Sequence, residues 1–413
     1  MKVFPAKLLC LFVIVGLLSG CWDRKEIDRK DYVVALGFDK AEDHQIKITF
    51  LITNPEVGSV QQGGSAQEPP VEIISVKAKD IVSPQEFANI TIAREISYDM
   101  LRYIIVSEKL ARDKNLIRWI YDTTKDKDIR RDNFFIVTKE DTTKFMENNK
   151  PKLETRVHKF YENMIHRGKE TGLIPFSQLH TLLRITEAGA DLFLGTYATT
   201  EIENDEESRG DKDNLFAGEY KPGGETNTAQ FLGSAVFKGG MMIGKLTGQE
   251  TRLAYLLNNI DQAPNMVAAL PDPFKEDVNI GFRIMQPKNA KIKMNLEGKG
   301  SIDIKLPLIV DILTNNSMVD YAGDKAKREH LERYIEERLK EKLTELIQKT
   351  QDEYKGDPFG WSLYARKKFK NLPDYYKYNW MESYPNMDVK VNVEIRVSNY
   401  GRQNETPNIH RVR

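Results

Sequence analysis

The stretch Tyr103–Val137, YIIVSEKLARDKNLIRWIYDTTKDKDIRRDNFFIV, decides the fold. It opens on an apolar run at Tyr103 to Val106, continues with helical spacing from Asn115 to Thr124, and closes on a second apolar run at Asn133 to Val137. A strand, a helix and a strand joined by short connections form a crossover, which places the two strands parallel in one sheet. Upstream, Tyr32 to Phe38 and the alternating Ile46 to Ile52 read as two strands, and Val71 to Val76 as a third reached through a Gly-, Gln- and Pro-rich loop at Asn54 to Pro70. Ser83, Pro84 and Glu86 carry the S-x-x-E signature of a capped helix start. The apolar face of that helix is expected at Phe87 and Ile90, with Ala93 or the stem of Arg94.

Downstream, Phe176 to Ala188 reads as a helix with Leu179, Leu182 and Leu183 on one side. Glu201 to Gly224 is acidic, glycine-rich and poor in apolar groups, so the main domain boundary is expected there. Ala229 to Phe237 and Met241 to Leu246 flank Gly239-Gly240 as a β-hairpin, and Gly248 to Asn258 is helical. Pro264, Pro271 and Pro273 mark a second break. Lys291 to Leu296 and Ile302 to Leu306 alternate as antiparallel strands. A long amphipathic helix spans 324–354, with Leu331, Ile335, Leu339, Leu343, Leu346 and Ile347 inward and the pairs Glu329–Arg333 and Glu336–Lys340 outward, and Gly356 and Pro358 stop it. Its heptads do not continue, so packing across its own sheet is favoured over a coiled-coil arm. Val389 to Val397 alternates as a last strand. The expected class is mixed α/β (α+β) and multi-domain: an N-terminal α/β domain over 21–200, a linker over 201–228, a hairpin-containing middle domain over 229–285 and a C-terminal α/β domain over 286–413.

Residues 1–20 have the layout of a secretory signal: Lys2 and Lys7, then apolar Leu8 to Leu18, then Ser19 and Gly20. The apolar stretch falls short of the roughly 20 residues that span a bilayer, and charged Asp23 to Glu26 follow at once. Leu18-Ser19-Gly20-Cys21 resembles the bacterial lipobox, whose cysteine takes a diacylglyceryl group and becomes the first residue of the mature chain. Cys10 leaves with the signal, so no disulfide is expected. The charges balance at 61 basic against 61 acidic, and loss of Lys2 and Lys7 leaves an excess of two negative charges. That balance lacks the clustered excess of Lys and Arg that nucleic-acid binding requires.

No catalytic, cofactor or metal residue emerges. None of His44, His158, His166, His180, His330 and His410 sits in a metal-ligand motif; His158 and His166 can share a helix face, but a solvated pair is the better reading. There is no G-x-S-x-G elbow and no phosphate-binding glycine loop. Asp211, Asp213 and Asn214 lack the glycine and glutamate of a calcium loop and are assigned to the linker. A binding or scaffolding role on the membrane surface, without catalysis, fits this inventory.

Cys21-Trp22-Asp23-Arg24-Lys25-Glu26-Ile27, with a strand ending near Gly37 and Asp39, resembles the opening of the C-subunit lipoproteins of bacterial spore germinant receptors. Ile104 to Ala111, Asp128 to Asn133, Gly233 to Lys238, Ile243 to Leu246 and Glu250-Thr251-Arg252 are similar to further blocks of that family in the same order. Where the family often has Gly-His, this chain has Asp99-Met100, so no role of that histidine carries over. The resemblance implies a multi-domain α/β lipoprotein of the spore inner membrane, acting with two integral-membrane subunits to sense small nutrients. The rival class, a solute-binding lipoprotein of an ABC importer, requires two similar βαβ lobes around a cleft. A wall hydrolase requires a carboxylate pair or metal site that the sequence does not single out.

Overall fold

The computed structural model describes residues 29–53, 71–154, 156–203, 213–258 and 263–400. The expected lipobox, Leu18 to Cys21, lies outside them, as do the whole Asn54 to Pro70 loop and residues 204–212 of the expected linker.

Strand β1 (Lys30–Lys40) is buried from Tyr32 through Asp39, polar residue included, because both its faces are covered. It pairs antiparallel with β2 (Ile46–Thr53), which pairs with β3 (Val71–Ala78). On its other side it runs parallel to the short β4 (Glu95–Ser97) and to β5 (Tyr103–Ser107). The stretch that decides the fold behaves as expected: β5 is parallel to β6 (Phe134–Thr138), with Ile104 opposite Phe135. β6 is parallel to β7 (Phe193–Thr199), and antiparallel β8 (Gln230–Lys238) and β9 (Met241–Leu246) finish the sheet.

Helices α1 (Ser83–Asn89), α2 (Glu108–Ala111), α3 (Leu116–Thr123), α4 (Thr142–Asn148), α5 (Val157–Thr171) and α6 (Leu179–Ala188) flank this sheet. Leu116, Ile120, Leu179 and Leu182 cluster with Leu36, Phe38, Ile104 and Val137, whereas Tyr161 and Ile165 cluster with the alternate strand positions Ala35, Tyr103, Ile105 and Ile136. Side chains two residues apart face one way, so the sheet is covered on both sides.

Two local expectations need correction. Ser83 does not cap α1; the Asp80 carboxylate accepts the backbone N–H groups of Val82 and Ser83 and the Ser83 hydroxyl. Phe87 and Ile90 are 59% and 80% exposed, while Pro84 and Ala88 are buried. Gln85 donates to Ile96 O, and Asn89 Oδ1 accepts Ile96 N–H. The side of this seven-residue helix that carries those hydrogen bonds turns inward, and the bulky apolar side turns out.

The domain expectation also changes. β8 and β9 were assigned with 229–285 to a middle domain, yet they complete the first sheet, with Phe237 opposite Phe193. A two-stranded hairpin is marginal alone, and the buried edge of β7 requires a partner. The rest of that segment belongs to a second sheet, as β10 (Met266–Asp272) and β11 (Lys275–Met285). β10 is an edge strand, where Pro271 is tolerated. The linker expectation fails from Asp213 onward: Asp213 O and Leu215 O accept the N–H groups of Gln249 and Gly248. Those donors open helix α7 (Gly248–Leu257), whose first turn has no internal partners for them.

In the second sheet β13 (Ser301–Asn315) pairs antiparallel with β12 (Lys291–Asn295) near its start and with β11 near its end, and parallel with β14 (Asp388–Asn399) along its length. Helix α8 (Lys325–Asp352) is 28 residues, about 42 Å, and packs against β14 with the six predicted apolar positions buried. Asp324 caps it through the N–H groups of Ala326 and Lys327. The expected pairs on its outer side are replaced. Glu329 meets Lys325 at 3.6 Å, while Glu332 and Glu336 accept the backbone N–H groups of Val397 and Ile395 at 2.9 and 2.7 Å. Two carboxylates thus satisfy the free edge of β14 and block further strand pairing there. Short helices α9 (Ser362–Arg366), α10 (Leu372–Tyr378) and α11 (Trp380–Ser383) precede β14. The second half is therefore a largely antiparallel sheet with one long helix and is unlike the first, so the paired lobes of a solute-binding protein are not present.

Candidate functional site

The two sheets meet at α7, and its first turn builds the joint. Thr247 Oγ1 accepts Glu250 N–H at 3.1 Å and Glu250 Oε2 accepts Thr247 N–H at 2.8 Å, a complete capping box. Glu250 also receives the Lys349 ammonium of α8 at 2.7 and 3.0 Å. Burial pulls the Lys349 pKa down, but the bonded carboxylate outweighs it and the pKa stands above the ordinary lysine value. Thr251 Oγ1 donates to Thr247 O and lies 2.7 Å from Ser234 Oγ of β8. Arg252 donates to Thr171 O at the end of α5, to Val267 O of β10 and to Asp213 Oδ2. Tyr255 Oη accepts Phe176 N–H and donates to Ile174 O. The block Glu250-Thr251-Arg252 therefore bonds one residue to α8, one to the first sheet and one to both sides of the joint.

Beside α7 opens a cleft of about 750 Å³. Phe231 of β8, Leu253 and Leu256 of α7, Met266 and Leu270 of β10 and Phe282 of β11 form its wall, each less than one-tenth exposed. Its polar lining includes Asp213, Gln249, Arg252, Arg338 and Lys342. Asp213 is bonded to Arg252, Lys342 donates to Gln249 Oε1, and Arg338 reaches Glu341 through Nη1. Arg338 Nε is buried with no hydrogen-bond partner.

A second polar feature crosses the joint nearby. Asp357, after α8, is fully buried; its carboxylate accepts the N–H groups of Phe359 at 2.6 Å and Ser362 at 3.1 Å. Its carbonyl accepts Leu192 N–H, and Ser362 Oγ donates to Asp191 Oδ2 at 2.7 Å. Burial, and for Asp357 the neighbouring Asp191 charge, push both carboxyls above the ordinary aspartate value. Asp191 Oδ1 is buried with no hydrogen-bond partner among the described residues, a setting that disfavours the charged carboxylate.

Sequence reasoning located neither feature. The cleft is lined from seven helices and strands whose order in the chain gives no sign of convergence, and Asp191 and Asp357 stand in loops of different halves. Glu250-Thr251-Arg252 was the available signal. Of the other residues singled out, Gly37 packs against Thr142, where a Cβ would clash, and Asp39 accepts Thr142 N–H and Oγ1–H at the start of α4. Asp99 pairs with Lys30 at 2.7 Å and Met100 is exposed. His158 and His166 share α5, and among the described residues no group of three or more His, Cys, Asp or Glu is placed to hold a metal.

Comparison with known proteins matches both halves. The family described as the spore germination protein N-terminal domain matches residues 23–197, and the one described as spore germination B3/GerAC-like, C-terminal, matches residues 232–401. Spore germination protein B3 of Bacillus subtilis is 23% identical over 407 residues, covering 96% of this chain and 98% of that protein. Spore germination protein KC of the same organism is 29% identical over 138 residues, about a third of each chain. Among solved structures, that of the GerBC protein superposes with a TM-score of 0.51 at 19% identity, covering 88% of this chain and 96% of that one, which shows the shared fold. With both halves of the family matched in order along one chain, this protein belongs to the GerAC-like family of spore germination proteins.

Proposed function

We propose that this protein is the lipid-anchored subunit of a nutrient-germinant receptor in the spore inner membrane, acting by contact and not by catalysis beside two integral-membrane subunits. The observation that carries the reading is the match of both family halves in order along nearly the whole mature chain. Diacylation at Cys21, with Leu18, Ser19 and Gly20 as its recognition sequence, supplies the attachment, since two acyl chains hold a protein stably where one does not. No helix of the described residues is long and apolar enough to cross a membrane. Nine residue-to-residue steps lead from Cys21 to Lys30 and reach at most about 32 Å, so the anchor keeps the start of β1 close to the bilayer.

The test is to place wild-type, deleted and Cys21→Ala alleles in a spore-former with no other member of the family. The Cys21→Ala protein is expected to be uncleaved or released from the membrane, and both altered strains to lose the response to at least one nutrient. A Cys21→Ala protein that stays membrane-bound at normal gel mobility would refute the anchor. Unchanged germination of the deleted strain on every nutrient would refute the receptor role.

A further inference from the structure

We propose that the cleft beside α7 is a binding site for a small amphipathic anion, an apolar body ending in a carboxylate, as a fatty acid presents. The proposal does not depend on the receptor reading. Phe231, Leu253, Leu256, Met266, Leu270 and Phe282 back an open cleft of about 750 Å³ whose lining also holds the exposed apolar Val267 and Leu313. That volume lies within the range of roughly 300–1,000 Å³ typical of small-ligand sites. An apolar wall gives water too few partners to be held there. It also leaves the hydroxyls of a sugar or the ammonium of a free amino acid unsatisfied, which disfavours polar guests.

The polar lining sets the guest's charge. Arg252, Arg338 and Lys342 are cationic; Asp213, the one acid among the lining residues, is bonded to Arg252, and Glu341 is bonded to Arg338, so these five residues carry one positive charge in excess. Arg338 keeps a buried Nε–H without a partner, a donor that a carboxylate oxygen can take. Apolar wall and cationic rim together specify an amphipathic anion. A free fatty acid and an anionic membrane phospholipid both join an apolar chain to an anionic group, carboxylate in one and phosphate in the other, and the experiment separates them.

The full-length chain in lipid nanodiscs would be irradiated with a diazirine-bearing dodecanoate, and in a parallel arm with a phospholipid carrying the same diazirine on an acyl chain. Labelled peptides would be mapped by mass spectrometry. The expected result is dodecanoate labelling of the peptides holding Leu253, Leu256, Met266, Leu270 and Phe282, competed by unlabelled dodecanoate. Labelling of those peptides from the phospholipid instead makes the bilayer the source of the acyl chain. Ala268→Trp, which fills the cleft, is expected to lower cleft labelling about five-fold, and Arg338→Gln, at a half-buried position with thermal unfolding of the variant as the check on folding, to weaken dodecanoate competition about tenfold while leaving dodecanol competition unchanged. Labelling confined to other surfaces in both arms overturns the proposal. Equal loss of dodecanoate and dodecanol competition in Arg338→Gln overturns the assignment of charge.

Discussion

Asp191 and Asp357 show what a single residue can carry across a domain joint. Burial, and for Asp357 the neighbouring Asp191 charge, raise both carboxyls above the ordinary aspartate value of 3.8, so just above that value the folded chain binds protons more tightly than the unfolded one. The sign follows: this contribution to stability is greatest below the ordinary value and is lost as pH rises through the raised one. Asp191→Asn keeps an oxygen for the Ser362 hydroxyl and removes one of the two charges. The wild-type midpoint of thermal unfolding is expected to fall more than the variant's as pH rises above the ordinary aspartate value; parallel profiles would refute the raised carboxyls. The sequence carries no mark of this pair, because burial and proximity are tertiary facts. Gly233 was partly legible, as the first residue of a family block. Its reason is geometric: φ is +83°, and a Cβ there would strike the Leu246 carbonyl oxygen, so the hairpin closes only over a residue without a side chain.

At the scale of elements, two segments with the same S/T-x-x-E spacing part company in structure. Ser83 and Glu86 have capping-box spacing, but Asp80 satisfies the open donors first. Thr247 and Glu250 form the box in full, and the same glutamate grips Lys349 of α8. Thr247→Ala should therefore lower unfolding free energy by about 1 kcal/mol, measured by denaturant titration, whereas Ser83→Ala removes only a bond between one hydroxyl and Asp80 and should cost less. Equal losses would contradict the assignment. Element type was largely legible: the parallel strands at Tyr103 and Phe134, the hairpin at Gly239-Gly240 and the long helix all follow from periodicity. Which face of a short helix turns inward was not, because α1 docks through Pro84 and Ala88 with two hydrogen-bonded amides beside them, and hydrophobicity alone points to Phe87 and Ile90. The outer acids of α8 were misread for a related reason: spacing within a helix cannot reveal the strand edge whose N–H groups Glu332 and Glu336 accept.

At the scale of the whole molecule, an acidic, glycine-rich stretch was read as a boundary, and the sheet runs across it. The hairpin after it fills the open edge of β7, so the sheet is assembled from both family halves. A chain cut between Glu203 and Asp213 should therefore hold together, the fragments eluting as one species in native gel filtration; their separation would show that β7 to β9 pairing is weaker than the register implies. Periodicity identifies strands but does not say which sheet receives them, which is why the boundary was displaced while its elements were correctly typed. The position of β1 has a mechanical consequence. A tug on the N-terminus enters the strand that is buried from Tyr32 to Asp39 and bonded on one side to β2 and on the other to β4 and β5. Those hydrogen bonds lie across the line of pull and must yield together in shear instead of unzipping one at a time, so the molecule resists force at the end where a lipid would hold it.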